Sequence, residues 1–137
     1  MDVSTINNTI MNSNLGALEY IAFQLLDDRL PSDYISSLKS DQDKIDTLRA
    51  CLIVYILTAT KIVPRSFQLQ ASLATLNGRD TIVTAGTGSG KTLCLLIPHL
   101  LRPNSISITI SPLKRLQATQ VMSSTIPGFT CTRDGAV

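Results

Sequence analysis

The chain has 137 residues, 44% of them apolar and 16% charged, with a formal net charge of +2. That balance excludes a disordered polyelectrolyte and fits one globular domain or a piece of a larger one. A charge of +2 is too small to imply nucleic-acid binding by itself, so local patches must be weighed instead.

Cys51, Cys94 and Cys131 are odd in number, widely separated and form no Cys-x-x-Cys pair, so they read as incidental thiols in a reducing compartment. One histidine, His99, is too few for a histidine-based metal cluster and reads as structural. The most apolar run, residues 50–60, is well short of the ~20 residues needed to span a bilayer. The first residues lack the basic-then-apolar pattern of a signal peptide. The expectation is a soluble, intracellular chain.

Residues 1–14 are rich in Asn, Ser and Thr and read as a polar lead-in. From residue 15 to 30, Leu18, Ile21, Ala22, Leu25 and Leu26 recur at helical spacing, and Pro31 stops the pattern. A short helical turn is expected over 33–39. Asp41 or Asp43 is placed to cap a second long helix over about 44–60, with Ile45, Leu48, Leu52, Tyr55 and Ile56 as its core stripe. Nothing in residues 1–60 carries nameable chemistry. They form an expected helical N-terminal extension that packs on the rest, with docking of a protein partner through residues 15–60 as the functional alternative.

Pro64 opens the second part, residues 61–137. Residues 67–77 read as a helix with Leu69, Leu73 and Leu76 on one face, and Gly78 is expected to end it. A β-branched run, Thr81-Ile82-Val83-Thr84, is the first expected strand. Then comes Ala85-Gly86-Thr87-Gly88-Ser89-Gly90-Lys91-Thr92, followed by an apolar helix to about residue 101 that Pro98 should kink. Residues 105–110 alternate apolar and polar and give a second expected strand. Residues 113–123 give a further helix. Strand, helix, strand, helix is the pattern of an α/β fold with a parallel sheet and right-handed crossovers.

The segment 85–92 carries the chemistry. Glycines at 86, 88 and 90 open backbone conformations closed to other residues, so successive N–H groups can turn inward around an anion. The helix that follows adds its free N–H groups and positive dipole end. Lys91 supplies a full positive charge for the β- and γ-phosphates, and the Thr92 hydroxyl is placed for Mg²⁺. Strand before and helix after are the context that a P-loop requires. ATP and Mg²⁺ are the cofactors this implies.

Three motifs in this order resemble the first motor domain of superfamily 2 helicases of the RecQ-like and DEAD/DEAH-box type. Pro64-Arg65-Ser66-Phe67-Gln68 looks like the adenine-reading motif that precedes the P-loop. Residues 85–92 look like the helicase form of the Walker A loop. Ser111-Pro112-Leu113-Lys114-Arg115-Leu116, continuing to Gln120-Val121, looks like motif Ia of RecQ-like helicases, where DEAD-box proteins usually carry Pro-Thr-Arg-Glu-Leu. The resemblance covers about residues 63–121. It implies an incomplete P-loop NTPase (RecA-like) domain after the helical extension. It implies that Gln68 reads the adenine edge through its donor and acceptor, and that Arg65 stacks near the base. Lys61 stands where many RecQ-like proteins carry a stacking aromatic. The resemblance further implies that Ser111, Lys114 and Arg115 meet the backbone of single-stranded or duplex DNA, and that the protein works in the nucleus.

The family's Walker B carboxylate pair, Asp-Glu-x-His or Asp-Glu-x-Asp, is absent: Asp134 is the one acidic residue after Asp80. The second motor domain is missing as well. No catalytic residue is therefore assigned. The expectation is an ATP- and nucleic-acid-binding fragment that does not hydrolyse ATP or unwind by itself. The competing reading is a non-catalytic, nucleotide-sensing interaction module. A small P-loop kinase is disfavoured by Gln68 at its helicase spacing and by Ser-Pro-Leu.

Overall fold

A computed structural model describes residues 2–108 and residue 110. The order is α1 (Val3–Asn12), α2 (Leu15–Leu26), a 3-10 turn (Asp27–Arg29), α3 (Ser32–Ser37), α4 (Asp41–Leu57), α5 (Ser66–Leu76) and α6 (Thr92–Leu101).

The first helix departs from the polar lead-in expected there. Val3, Ile6 and Ile10 lie three and four residues apart, which puts them on one helical face, and Ile10 is buried against the core. Asn14 then caps α2, its side chain accepting the Ala17 N–H at 2.9 Å. The expected face of α2 is only partly interior: Leu18, Ala22 and Leu26 are buried, while Leu25 is 49% exposed. Ser40, not Asp41 or Asp43, caps α4; both aspartates sit in its first turn, where the helix dipole favours them.

Helix α4 is the centre of the molecule. Buried residues run continuously from Asp46 to Leu48 and from Ala50 to Val54, all round the helix rather than along the single expected stripe. A helix is apolar on every side only when it has neighbours on every side. Helices α1 and α2 pack on α4 from one part of the chain, and α5 and α6 pack on it from the other. One cluster therefore joins Leu18 and Leu26 of α2, Leu52 of α4, Leu69 of α5 and Ile97 and Leu101 of α6. Longer-range ties hold the seams. The Arg29 guanidinium donates to the Thr60 and Lys61 carbonyls at 3.1 and 2.8 Å and lies 5.3 Å from the Tyr55 ring centre. Asn77 donates to Asp43 at 3.0 Å.

The expected parallel-sheet α/β fold is not what forms. Among the described residues there is no strand at all: residues 81–84, 105–108 and 110 of the two expected strands lie outside any ladder. Ile82 is 95% exposed, and Ile106, Ile108 and Ile110 are 87–93% exposed. The reason is that β-branched alternation favours a strand without making one. A strand is held by ladder hydrogen bonds to neighbours and by a face that packs. Here the helices find their core with one another, and among the described residues neither run acquires a partner. Among the described residues no helix is long and apolar enough to cross a membrane.

Candidate functional site

Helices α5 and α6 pack against each other, and their N-termini meet at the loop 85–91. Pro64, fully buried, leads into α5. Arg65 is the N-cap residue, with extended backbone. Three residues on, Gln68 turns its side chain back: Oε1 accepts the Arg65 N–H at 2.8 Å, which satisfies one of the donors a helix start leaves open. The other end of the same amide crosses to the loop, where Nε2 donates to the Gly90 carbonyl at 2.7 Å. Gln68 is 3% exposed, and Ser72 donates to its carbonyl at 2.7 Å one turn later.

The loop has the backbone that its glycines permit. Gly88 and Gly90 take φ values of +79° and +84°, in the left-handed region where a Cβ is costly. Between Gly86 and Ser89 a turn closes, the Ser89 N–H donating to the Gly86 carbonyl at 3.2 Å. Beyond Gly90 the helix begins: Leu93 N–H donates to the Gly90 carbonyl and Cys94 N–H to the Lys91 carbonyl. Lys91 folds over the loop, its Nζ donating to the Ala85 carbonyl at 2.6 Å and the Gly86 carbonyl at 3.3 Å. The ammonium thus sits among carbonyl oxygens at the start of the loop while its own backbone opens α6.

Thr92, half-buried, is the first residue of α6, and Thr87 is exposed at the loop tip. The Ser89 hydroxyl is buried without a hydrogen-bond partner. A buried orphan hydroxyl, two left-handed glycines and an inward lysine at a helix start are features that an anionic ligand would satisfy. Arg65 is exposed beside this region. Ser111, Lys114 and Arg115 lie outside the described residues, as do Cys131 and Asp134.

The structure thus brings Arg65, Gln68 and residues 85–92 to one end of the α5–α6 pair. Sequence spacing did not disclose the bond from Gln68 to Gly90, because the partners are 22 residues apart. The two described thiols are free and buried. Burial pushes the Cys51 thiol up to about 12 and the Cys94 thiol upward, so both are protonated and inert at neutral pH. Among the described residues no group of three or more His, Cys, Asp or Glu is placed to hold a metal ion.

Comparison with known proteins gives this geometry a context. Residues 65–128 match the family model described as DEAD/DEAH box helicase. The RecQ-like DNA helicase blm-1 of Caenorhabditis elegans is 39% identical over 67 residues, which are 49% of this chain and 7% of that protein. The ATP-dependent RNA helicase MAK5 of Lodderomyces elongisporus is 38% identical over 94 residues, covering 65% of this chain and 11% of that protein. The ATP-dependent helicase SGS1 of Saccharomyces cerevisiae is 42% identical over 60 residues, covering 42% of this chain and 4% of that protein. No solved structure matches. The chain thus spans between 4 and 11% of the length of these three relatives. Over residues 65–128 the chain is thus similar to DEAD/DEAH box helicases, and RecQ-like helicases are among the proteins that it resembles.

Proposed function

We propose that this chain is an ATP- and nucleic-acid-binding portion of a RecQ-like DNA helicase. The observation that carries the reading is the loop 85–91 at the start of α6, with Lys91 turned inward and Gly88 and Gly90 left-handed. The backbone N–H groups of residues 86–92 surround the β- and γ-phosphates, and Lys91 leaves the Ala85 carbonyl to neutralise them. Thr92 offers its hydroxyl to Mg²⁺. Arg65 stacks on the base, and Gln68 has one N–H and one lone pair to spare for the adenine edge. ATP, when bound, supplies the phosphoryl group whose transfer drives a motor of this family.

Residues 61–137 form the nucleotide-binding part and residues 1–60 its helical extension. Ser111, Lys114 and Arg115 meet nucleic-acid phosphates, and Ser-Pro-Leu at 111–113 favours DNA although relatives of both kinds occur. The family suggests the nucleus. No Asp-Glu pair follows residue 92 in the sequence, so the chain binds ATP without turning it over. A second reading, a nucleotide-sensing interaction module, is favoured by one observation: α4 packs directly on α5 and α6. In that reading residues 15–60 dock a protein partner and register the state of the loop.

The test is a titration of the purified chain with a fluorescent ATP analogue and Mg²⁺, beside Lys91→Ala, with phosphate release followed in the same samples. The expected outcome is saturable binding weakened about tenfold or more in the variant, as loss of a charge-assisted contact predicts, and no phosphate released. Equal binding by both proteins rejects the site. Release sensitive to Lys91 rejects the claim of binding without turnover.

A further inference from the structure

We propose that Gln68 is a positioning residue for the phosphate loop, holding the Gly90–Lys91 peptide so that the Lys91 N–H faces the phosphate site whatever base is attached. The proposal rests on the nucleotide-binding reading above and deepens it.

A trans peptide is planar, so its C=O and N–H point in opposite directions. The Gly90 carbonyl receives two donors, Gln68 Nε2 at 2.7 Å and the Leu93 N–H at 3.2 Å. The second is the first helical bond of α6, which aims the carbonyl along the helix toward its C-terminus. The N–H on the other side of that peptide, that of Lys91, is then aimed out of the helix start and over the loop. Gly90 has φ +84°. A glycine peptide of this kind rotates easily unless something holds it. Gln68 is well suited to hold it, because the amide is fixed at both ends: Oε1 is anchored to the Arg65 N–H at 2.8 Å, and the residue is 3% exposed.

The approach also depends on what residue 90 lacks. A Cβ built on Gly90 would lie 2.6 Å from Gln68 Nε2, inside contact distance. One amide therefore joins the N-terminus of α5, which carries Arg65, to the N-terminus of α6, which carries the phosphate-facing amides. Reading the base and orienting the loop are separable tasks. A base reader affects adenine nucleotides alone, whereas an orienting residue affects every triphosphate.

The experiment is a competition titration on the full chain and on Gln68→Met, a neutral replacement of similar length. ATP, GTP and inorganic tripolyphosphate are the ligands, with Mg²⁺ present and temperatures held well below each protein's melting point. The expected result is that GTP and tripolyphosphate weaken by about three- to tenfold, as loss of one hydrogen bond predicts, and ATP by at least as much. Weakening of ATP alone, or of none, overturns the proposal. The variant Gln68→Glu adds a readout that a merely structural role would not move. Its protonated acid can donate to Gly90 and still accept from Arg65, whereas its carboxylate can only accept. Relative to wild type at the same pH, its tripolyphosphate affinity should recover to near the wild-type value as the acid protonates, since relief of charge repulsion alone would leave it about three- to tenfold weaker; a flat ratio, or a recovery that stops at that level, overturns the proposal. If Gln68→Met does not fold, this pH series decides. Failure of wild type to bind any ligand, with Lys91→Ala indistinguishable, rejects the parent reading and this one with it.

Discussion

Asp46 is 1% exposed in the middle of α4, yet it carries a carboxylate. Its oxygens are met from two sides, by Gln42 Nε2 at 3.2 Å and by Arg102 Nη2 at 3.5 Å. Arg102 ends α6, where it also donates to the Leu101 carbonyl at 3.0 Å, a favourable place for a cation. The pair ties the far end of the loop-bearing helix to the central helix. Its partners are not equivalent: the arginine side chain is 45% exposed and the aspartate 2%. If the aspartate is neutralised, the arginine turns to water. Removing the arginine leaves a buried carboxylate with one amide donor. Arg102→Met should therefore cost about 2–3 kcal/mol and Asp46→Asn about 1 kcal/mol, the asymmetry following from which charge is stranded. Urea unfolding of both variants measures it. A larger loss for Asp46→Asn would mean that the pair acts through Asp46's packing and not through its charge.

Two helices end in the same way, and they show what is and is not legible in local sequence. After α5 the Gly78 N–H donates to Thr75 and the Arg79 N–H to Ala74, with Gly78 at φ +72°. That is a Schellman ending, and a glycine standing just after the last leucine of an apolar helical pattern, Leu76, announces it. After α4 the Ala59 N–H donates to Ile56 and the Thr60 N–H to Tyr55, the same pattern. Here Ala59 and Thr60 stand at φ +52° and +66° with no glycine to mark them. Sequence spacing placed the end of α4 three residues late for that reason. Ala59→Gly should relieve the left-handed strain and raise stability by about 1 kcal/mol, read as a higher urea midpoint at unchanged slope. An unchanged or lower midpoint would mean that Arg29, which grips the Thr60 carbonyl, already offsets the strain. Helices α2 to α6 were readable because 3.6-residue periodicity is a local property, as were the loop glycines; α1, read as a polar lead-in, and the Ser40 cap of α4 were not. The bond from Gln68 to Gly90 and the all-round burial of α4 were not, since each depends on which distant element arrives. The strands failed for the same reason: their partners are never local.

At the scale of the whole molecule the helical core is closed, but the two β-branched runs are left outside it. Ile106, Ile108 and Ile110 alternate along one run, each 87–93% exposed, and Ile82 on the other run is 95% exposed. Each isoleucine left in water forgoes about 1.5–3 kcal/mol of burial. Among the described residues the backbone of both runs joins no ladder, so another chain can satisfy both needs at once. Nothing in the charge opposes this, because a net +2 gives little mutual repulsion. The expected consequence is concentration-dependent self-association through residues 105–108, separate from nucleotide binding at residues 85–92. Ile106→Lys with Ile108→Lys should suppress it, since two charges on a strand edge oppose pairing, while leaving the core and the loop untouched. Sedimentation velocity over a range of concentrations distinguishes the outcomes. Wild type should sediment faster as concentration rises, and the double variant should remain a single slow species with unchanged ATP-analogue binding. A monomeric wild type, or a double variant that associates equally, would remove the exposed isoleucines as the cause. Loss of nucleotide binding in the double variant would instead mean that this run supports the loop and is not merely left over from it.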